Sequence, residues 1–375
     1  MNSGYSFFKS FFYSTKNPFF KLIKFEWRFL LYGLLMSLWS SFGQTFFISL
    51  FSLEIRQELD LSHGEFGAYY SIATTVSALT LLWLGKLSDT QTVHRLSVIT
   101  LISVCLSSLF FSTVSSVLML IFGLYLLRLS GQGMMYHVYS TAVTRRYNLM
   151  RGKALAICGL GMNLAEATLP IIVIIALNIF EWRMIWLTLP VFAYLSLGPF
   201  IKKLTTKHVV PSIEKMKDDT KNKISSKSLH RADAMKDSAF WSVIIWLMMV
   251  PGFTITGIFF HQIHLSELKN IPLWLWSTNY IWYAIAAISG AFFSGILVDK
   301  YSAHKVASVT QIPMLIACLL LWFGNENLLL AFFFIFFGLG GGMLQPMINS
   351  LLAERYGTRW LGEIKSLLWA LSVFS

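Results

Sequence analysis

Gly85-Lys-Leu-Ser-Asp89-Thr-Gln-Thr-Val-His94-Arg95 and Gly295-Ile-Leu-Val-Asp299-Lys-Tyr-Ser-Ala-His304-Lys305 are two copies of one phrase, G-x-L-x-D-x-x-x-x-H-[R/K], set 210 residues apart. A second pair keeps nearly the same offset: Gly131-Gln-Gly133-Met134, running on to Arg146-Tyr147, and Gly340-Gly-Gly342-Met343, running on to Arg355-Tyr356. Two matches at one spacing mark an internal duplication. Each copy of the phrase sits between long apolar runs, so the nature of those runs decides the fold.

Of 375 residues, 55% are hydrophobic and 13% charged. Soluble domains carry about 25% charged residues, so a soluble globular reading is excluded, and the apolar content excludes disorder. The three cysteines, Cys105, Cys158 and Cys318, show no C-x-x-C spacing, which indicates neither a disulfide frame nor a metal site. Residues 29–53, 96–127 and 271–298 hold no charge. About 20 apolar residues cross a bilayer as a helix, whereas a membrane barrel needs alternating strands of about ten. The expectation is an all-α polytopic membrane protein. Its eleven segments are 29–53, 66–86, 95–114, 117–142, 153–179, 184–201, 239–262, 274–298, 304–324, 327–352 and 361–375, the last one cut and a twelfth missing.

The 30 Lys and Arg are divided very unevenly: 26 on one side, Arg56, Arg183 and Lys269 on the other, and Arg128 within a segment. Short basic loops stay cytoplasmic, so the N-terminus is expected inside, in the cytoplasmic (inner or plasma) membrane. The net charge of +12 is then a topology signal and gives no reason to expect nucleic acid. The expected divisions are a basic, aromatic tail at 1–28, a six-helix bundle at 29–201, a cytoplasmic linker at 202–237 and an incomplete bundle at 238–375. Phe7, Phe8, Phe11 and Phe12 suggest a tail lying on the lipid surface.

Six spans separate the repeats, an even number, so the two halves should be parallel copies that rock against each other about a midplane site. In each phrase the glycine permits close helix approach and the aspartate can cap or pair across the halves. Gly85, Asp89, Gly295 and Asp299 are therefore candidate gating residues.

Those paired phrases, the Arg128-Leu-Ser-Gly131-Gln-Gly133 run and the 6+6 layout resemble the major facilitator superfamily. Within it, Arg151-Gly-Lys-Ala154, Glu181-Trp182-Arg183 and Ala353-Glu-Arg-Tyr-Gly357 are closest in feel to the monocarboxylate and oxalate/formate-type branch and related bacterial permeases. The eighth segment lacks the charged pair usual in monocarboxylate carriers. The Gly-Pro step of drug antiporters is missing from the fifth.

Intramembrane charges are functional by default. Arg128 lies roughly 17 Å from the outer end of its segment and Glu166 roughly 21 Å from the inner end of the next, at 1.5 Å per residue. Opposite charges at one depth on consecutive helices suggest an ion pair. The resemblance implies that Arg128 holds an anionic substrate or modulates proton binding; Glu166 is the candidate proton carrier. Helical spacing adds Gln132 and Tyr136, then Asn163, with Gln44 from the first segment. The duplication relates Tyr136 to Gln345 and Ser140 to Asn349, so Gln345 and Asn349 complete the set. His261 is a candidate external proton sensor, and Trp274 and Trp276 fit an interfacial aromatic belt. No catalytic or nucleotide-binding motif appears, and no cofactor is expected.

The function expected is a secondary transporter moving a small polar solute, with organic anions and coupled protons as candidates, by alternating access. It should work as a monomer if full-length. The alternative is a transporter-like sensor or a non-transporting remnant that binds a ligand without carrying it.

Overall fold

The computed structural model describes residues 18–147, 150–206, 229–323 and 327–372, and every regular element among them is helical. The expectations for the aromatic tail and for most of the linker fall outside these residues. The helices are α1 (Leu22–Gly43), α2 (Thr45–Glu58), α3 (His63–Thr90), α4 (Val93–Phe111), α5 (Val117–Arg146), α6 (Arg151–Leu177) and α7 (Trp182–Thr205). The short α8 (Arg231–Lys236) precedes α9 (Phe240–Phe260). Then come α10 (Gln262–Leu268), α11 (Leu273–Thr278), α12 (Tyr280–Tyr301), α13 (Ala303–Phe323), α14 (Leu328–Tyr356) and α15 (Leu361–Ser372).

Among the described residues nine helices are long and apolar enough to cross a membrane, ten if α1 and α2 form one broken span. The first expected segment is not straight: it bends by 49° between α1 and α2. Of the eleventh, 361–375, residues 361–372 are described, as α15.

Polar caps set the turns that divide the apolar runs. Ser62 and Glu65 form a capping box at the start of α3, satisfying two backbone donors at once. Thr92 accepts from the Arg95 amide to open α4, and Ser116 from the Met119 amide to open α5. Large apolar side chains such as Ile172, Phe192, Leu195, Trp322 and Phe323 stand exposed on the outside, which suits a lipid solvent. Trp276 corrects the aromatic-belt expectation: it is fully buried, packed on Phe333 and Phe334. Tilted and edge-on ring contacts in the core hold it away from the surface. The side chain of Trp274 lies outside the described set.

Helices before and after the linker meet along two seams, α6 against α12 and α3 against α15. These seams carry the two copies of the opening phrase at one end and enclose the cavities farther in.

Candidate functional site

The bend between α1 and α2 builds the centre of the site. It brings Gly43 against a wide-turned, π-helical stretch of α5, Arg128–Met135, a geometry common at functional positions. A Cβ on Gly131 would lie 2.6 Å from the Gly43 amide nitrogen, and one on Gly43 would lie 2.5 Å from that of Gln132. Only glycine allows the two backbones to come so close. The approach leaves the Gly43 carbonyl, freed at the bend, 3.0 Å from Arg128 Nη1, which also donates to Thr45 Oγ1 at 3.3 Å. Thr45 Oγ1 lies 2.8 Å from the Tyr70 hydroxyl, and the guanidinium sits 5.1 Å from the Tyr70 ring centre. Arg128 is 6% exposed, and its Nε has no partner among the described residues.

The expected Arg128–Glu166 ion pair does not form. The guanidinium is drawn to the α1/α2 break, while Glu166 on α6 lines a cavity together with Tyr283 of α12. Among the described residues neither side chain has an opposite charge within ion-pair distance.

Two adjoining cavities receive these groups. The larger, about 510 Å³, runs from His63 and His261 at one end to Arg128, Gln132 and Trp369, between α3 and α9. The smaller, about 190 Å³, is lined by Gln44, Tyr136, Asn163, Glu166, Gln345 and Asn349. Gln132, Thr256 and Trp369 line both. All eight residues singled out in the sequence thus line one cavity or the other, and His261 stands exposed at the mouth of the first. Ser37, on the same face of the first segment as Gln44, instead accepts a hydrogen bond from the buried Tyr139. The sequence reading passed over Tyr70, Tyr283 and Trp369, because a ring in an apolar run gives no sign that it faces a cavity.

The floor of the cavities crosses from one set of helices to the other. The Tyr136 hydroxyl donates to Gln345 Oε1, and Asn349 Nδ2 donates to the Gln345 carbonyl at 2.8 Å. Trp369 closes on Tyr136, ring centres 5.2 Å apart. Tyr136 and Gln345, matched by the duplication, touch each other.

Both phrase aspartates bind the start of a helix in the other set. Asp299, at the end of α12, accepts from the amides of Gly152 (3.0 Å) and Lys153 (3.2 Å) and pairs with Lys153 Nζ at 2.8 Å. Asp89, at the end of α3, accepts from the amides of Gly362 (2.8 Å) and Glu363 (2.9 Å) and pairs with Arg145. A carboxylate at a helix N-terminus meets unsatisfied donors and a favourable dipole. Gly295 and Gly152 cross so closely that a Cβ on either would lie under 3 Å from the other's carbonyl oxygen, and Gly85 lies against Ser366. Near the same end, Arg355 and Tyr356 hydrogen-bond Asp237. Arg355 above all holds the Asp237 carboxyl well below the usual carboxylate range, outweighing the opposing effect of burial, and Tyr356 adds to it. Among the described residues no cluster of His, Cys, Asp or Glu could hold a metal ion.

A family model described as Major Facilitator Superfamily matches residues 33–374. Among solved structures, the crystal structure of the human organic anion transporter MFSD10 (TETRAN) superposes with a TM-score of 0.66 at 13% identity, covering 93% of this chain and 90% of that one. No curated protein matches by sequence.

Proposed function

The chain belongs to the Major Facilitator Superfamily and is a membrane transporter; on that premise we propose that it carries an organic anion by alternating access, as a secondary transporter of the cytoplasmic membrane with its N-terminus inside. One observation carries the reading. Arg128 is a buried cation whose partners among the described residues are a carbonyl, a hydroxyl and a ring, with no carboxylate, and its buried Nε has none. A buried charge without a counter-charge is costly. An anion entering the larger cavity supplies what is lacking. Tyr70, Phe260 and Trp369 line the same cavity and suit an apolar body attached to that anion. The likeness to a structure of an organic anion transporter supports the reading.

The Asp89 and Asp299 contacts close the cytoplasmic end, so the conformation is outward-facing and these residues are the gate. Glu166, which lines the smaller cavity together with Tyr283 of α12, is the candidate site for a coupled proton.

The test is uptake of benzoate, succinate and naphthalenesulfonate into proteoliposomes, with and without a pH gradient. Saturable uptake of at least one anion is expected. Arg128→Gln should raise its half-saturation about tenfold or more, the worth of a charged hydrogen bond. Uptake of none of the three, or a half-saturation indifferent to Arg128→Gln, overturns the reading. A gradient effect that survives Glu166→Gln removes Glu166 from coupling.

A further inference from the structure

Beneath the floor lies a second buried cation that the opening phrase does not account for. Lys365, on α15, is 1% exposed, and its Nζ donates to Ser140 Oγ at 2.6 Å. It shares a helix face with Trp369 and Ser372, one and two turns farther along, both of which line the larger cavity. The duplication offset of 210 sets Lys365, Trp369 and Ser372 against Leu155, Gly159 and Met162 of α6, and all three of those line the smaller cavity. Lys365 therefore occupies a cavity-facing register, about 6 Å below Trp369 at 1.5 Å per residue, and lies beyond the Tyr136–Trp369 floor of the cavity.

Arg145, Asp89 and His137 are the titratable groups near enough to act on it electrostatically. The Asp89 carboxylate is already held by Arg145 and two backbone amides. Glu363, on the same helix, is engaged by His230 and the Arg231 amide. His137 is fully buried; one ring nitrogen, Nε2, lies 3.2 Å from the Gly85 carbonyl oxygen, and Nδ1 has no partner among the described residues. Both carboxylates are thus engaged elsewhere, and the hydrogen-bond partner of the Lys365 amine is the neutral Ser140, which an oxyanion can replace.

We propose that Lys365 is a second cationic contact for the transported anion, reached when the halves part at the cytoplasmic end. Arg128 receives the anion from outside; Lys365 holds it on the cytoplasmic side once the Tyr136–Trp369 floor has opened. This rests on the anion reading above.

The test measures flux of whichever of the three anions the wild type carries best, in right-side-out and inside-out vesicles. Lys365→Met should raise the half-saturation at the cytoplasmic face about tenfold or more and leave the outer face within about twofold. Lys365→Arg should keep both near wild type. Ser140→Ala, which frees the ammonium, should lower the cytoplasmic value. An equal change at both faces, or none at the cytoplasmic face, overturns the proposal while Arg128→Gln still weakens the outer face. If Lys365→Met does not fold, an unchanged cytoplasmic value in Ser140→Ala overturns it instead. A wild type that carries none of the three anions refutes the anion reading itself, and this proposal with it.

Discussion

At the scale of single residues, Arg128 depends on shape as well as charge. Its guanidinium spans Gly43, Thr45 and the Tyr70 ring, a reach that a compact ammonium does not share. Arg128→Lys should keep saturable uptake but raise the half-saturation several-fold, measured beside Arg128→Gln. Tyr70→Phe keeps the ring and loses only the hydroxyl 2.8 Å from Thr45, so it should change affinity by less than about tenfold, the span of one neutral hydrogen bond. Tyr70→Ala, which also removes the ring beneath the cation, should do more damage in the same uptake assay. Arg128 was legible in the sequence because a charge inside an apolar run stands out. Its partner was not, because spacing along a helix gives depth and says nothing about which neighbour a long side chain will reach. Lys365 was missed for a related reason: five residues from the start of its segment, it passes for an ordinary helix-end charge.

At the scale of elements, the decisive feature is the crossing of the α1/α2 break over the π-helical stretch of α5. Gly131→Val should disrupt it, since even a Cβ would meet the Gly43 backbone. Overpacking of this kind costs about 1–3 kcal/mol, and the expected outcome is a lower unfolding temperature in detergent together with weakened uptake. Most segments were legible from apolar length alone, and their ends from the serines and threonines that cap α3, α4 and α5. The bend was not, because Ser40–Thr45 contains no proline and reads as a continuation of the first apolar run. What breaks the helix there is contact with α5, a tertiary cause that no local pattern displays.

At the scale of the whole molecule, the two phrase aspartates stitch the same end of the protein shut. Asp89→Asn combined with Asp299→Asn should loosen that end, seen as faster labelling of a cysteine placed at Ser140 by a reagent added from the cytoplasmic side. Unchanged labelling would deny them the gating role. Asp237 offers a pH test nearby. Its carboxyl is held low in the folded protein, so the unfolded chain binds more protons in the acid range and stability rises with pH there. The contribution is full at neutral pH, begins to fall near about pH 5 as the ordinary carboxylate value of about 3.9 is approached, and is gone below the depressed folded value. Asp237→Asn should therefore lower the unfolding temperature at pH 7, with the gap narrowing as the pH falls. The duplication made the relation between the two aspartate contacts readable from sequence, since equal phrases at equal offset fold into equal contacts.

The floor carries a consequence for ancestry. Two positions related by a twofold duplication can touch only where they meet its axis, and Tyr136 and Gln345 touch. In a symmetric ancestor, with one short gene supplying both halves, the residue at this point would have faced its own twin: tyrosine against tyrosine, or amide against amide. Dividing the pair into a dedicated donor and a dedicated acceptor requires two copies that can each drift alone, as the two halves of one chain can. The lopsided centre of this protein, a guanidinium on one side and amides on the other, is what fusion permits and pairing of identical chains forbids.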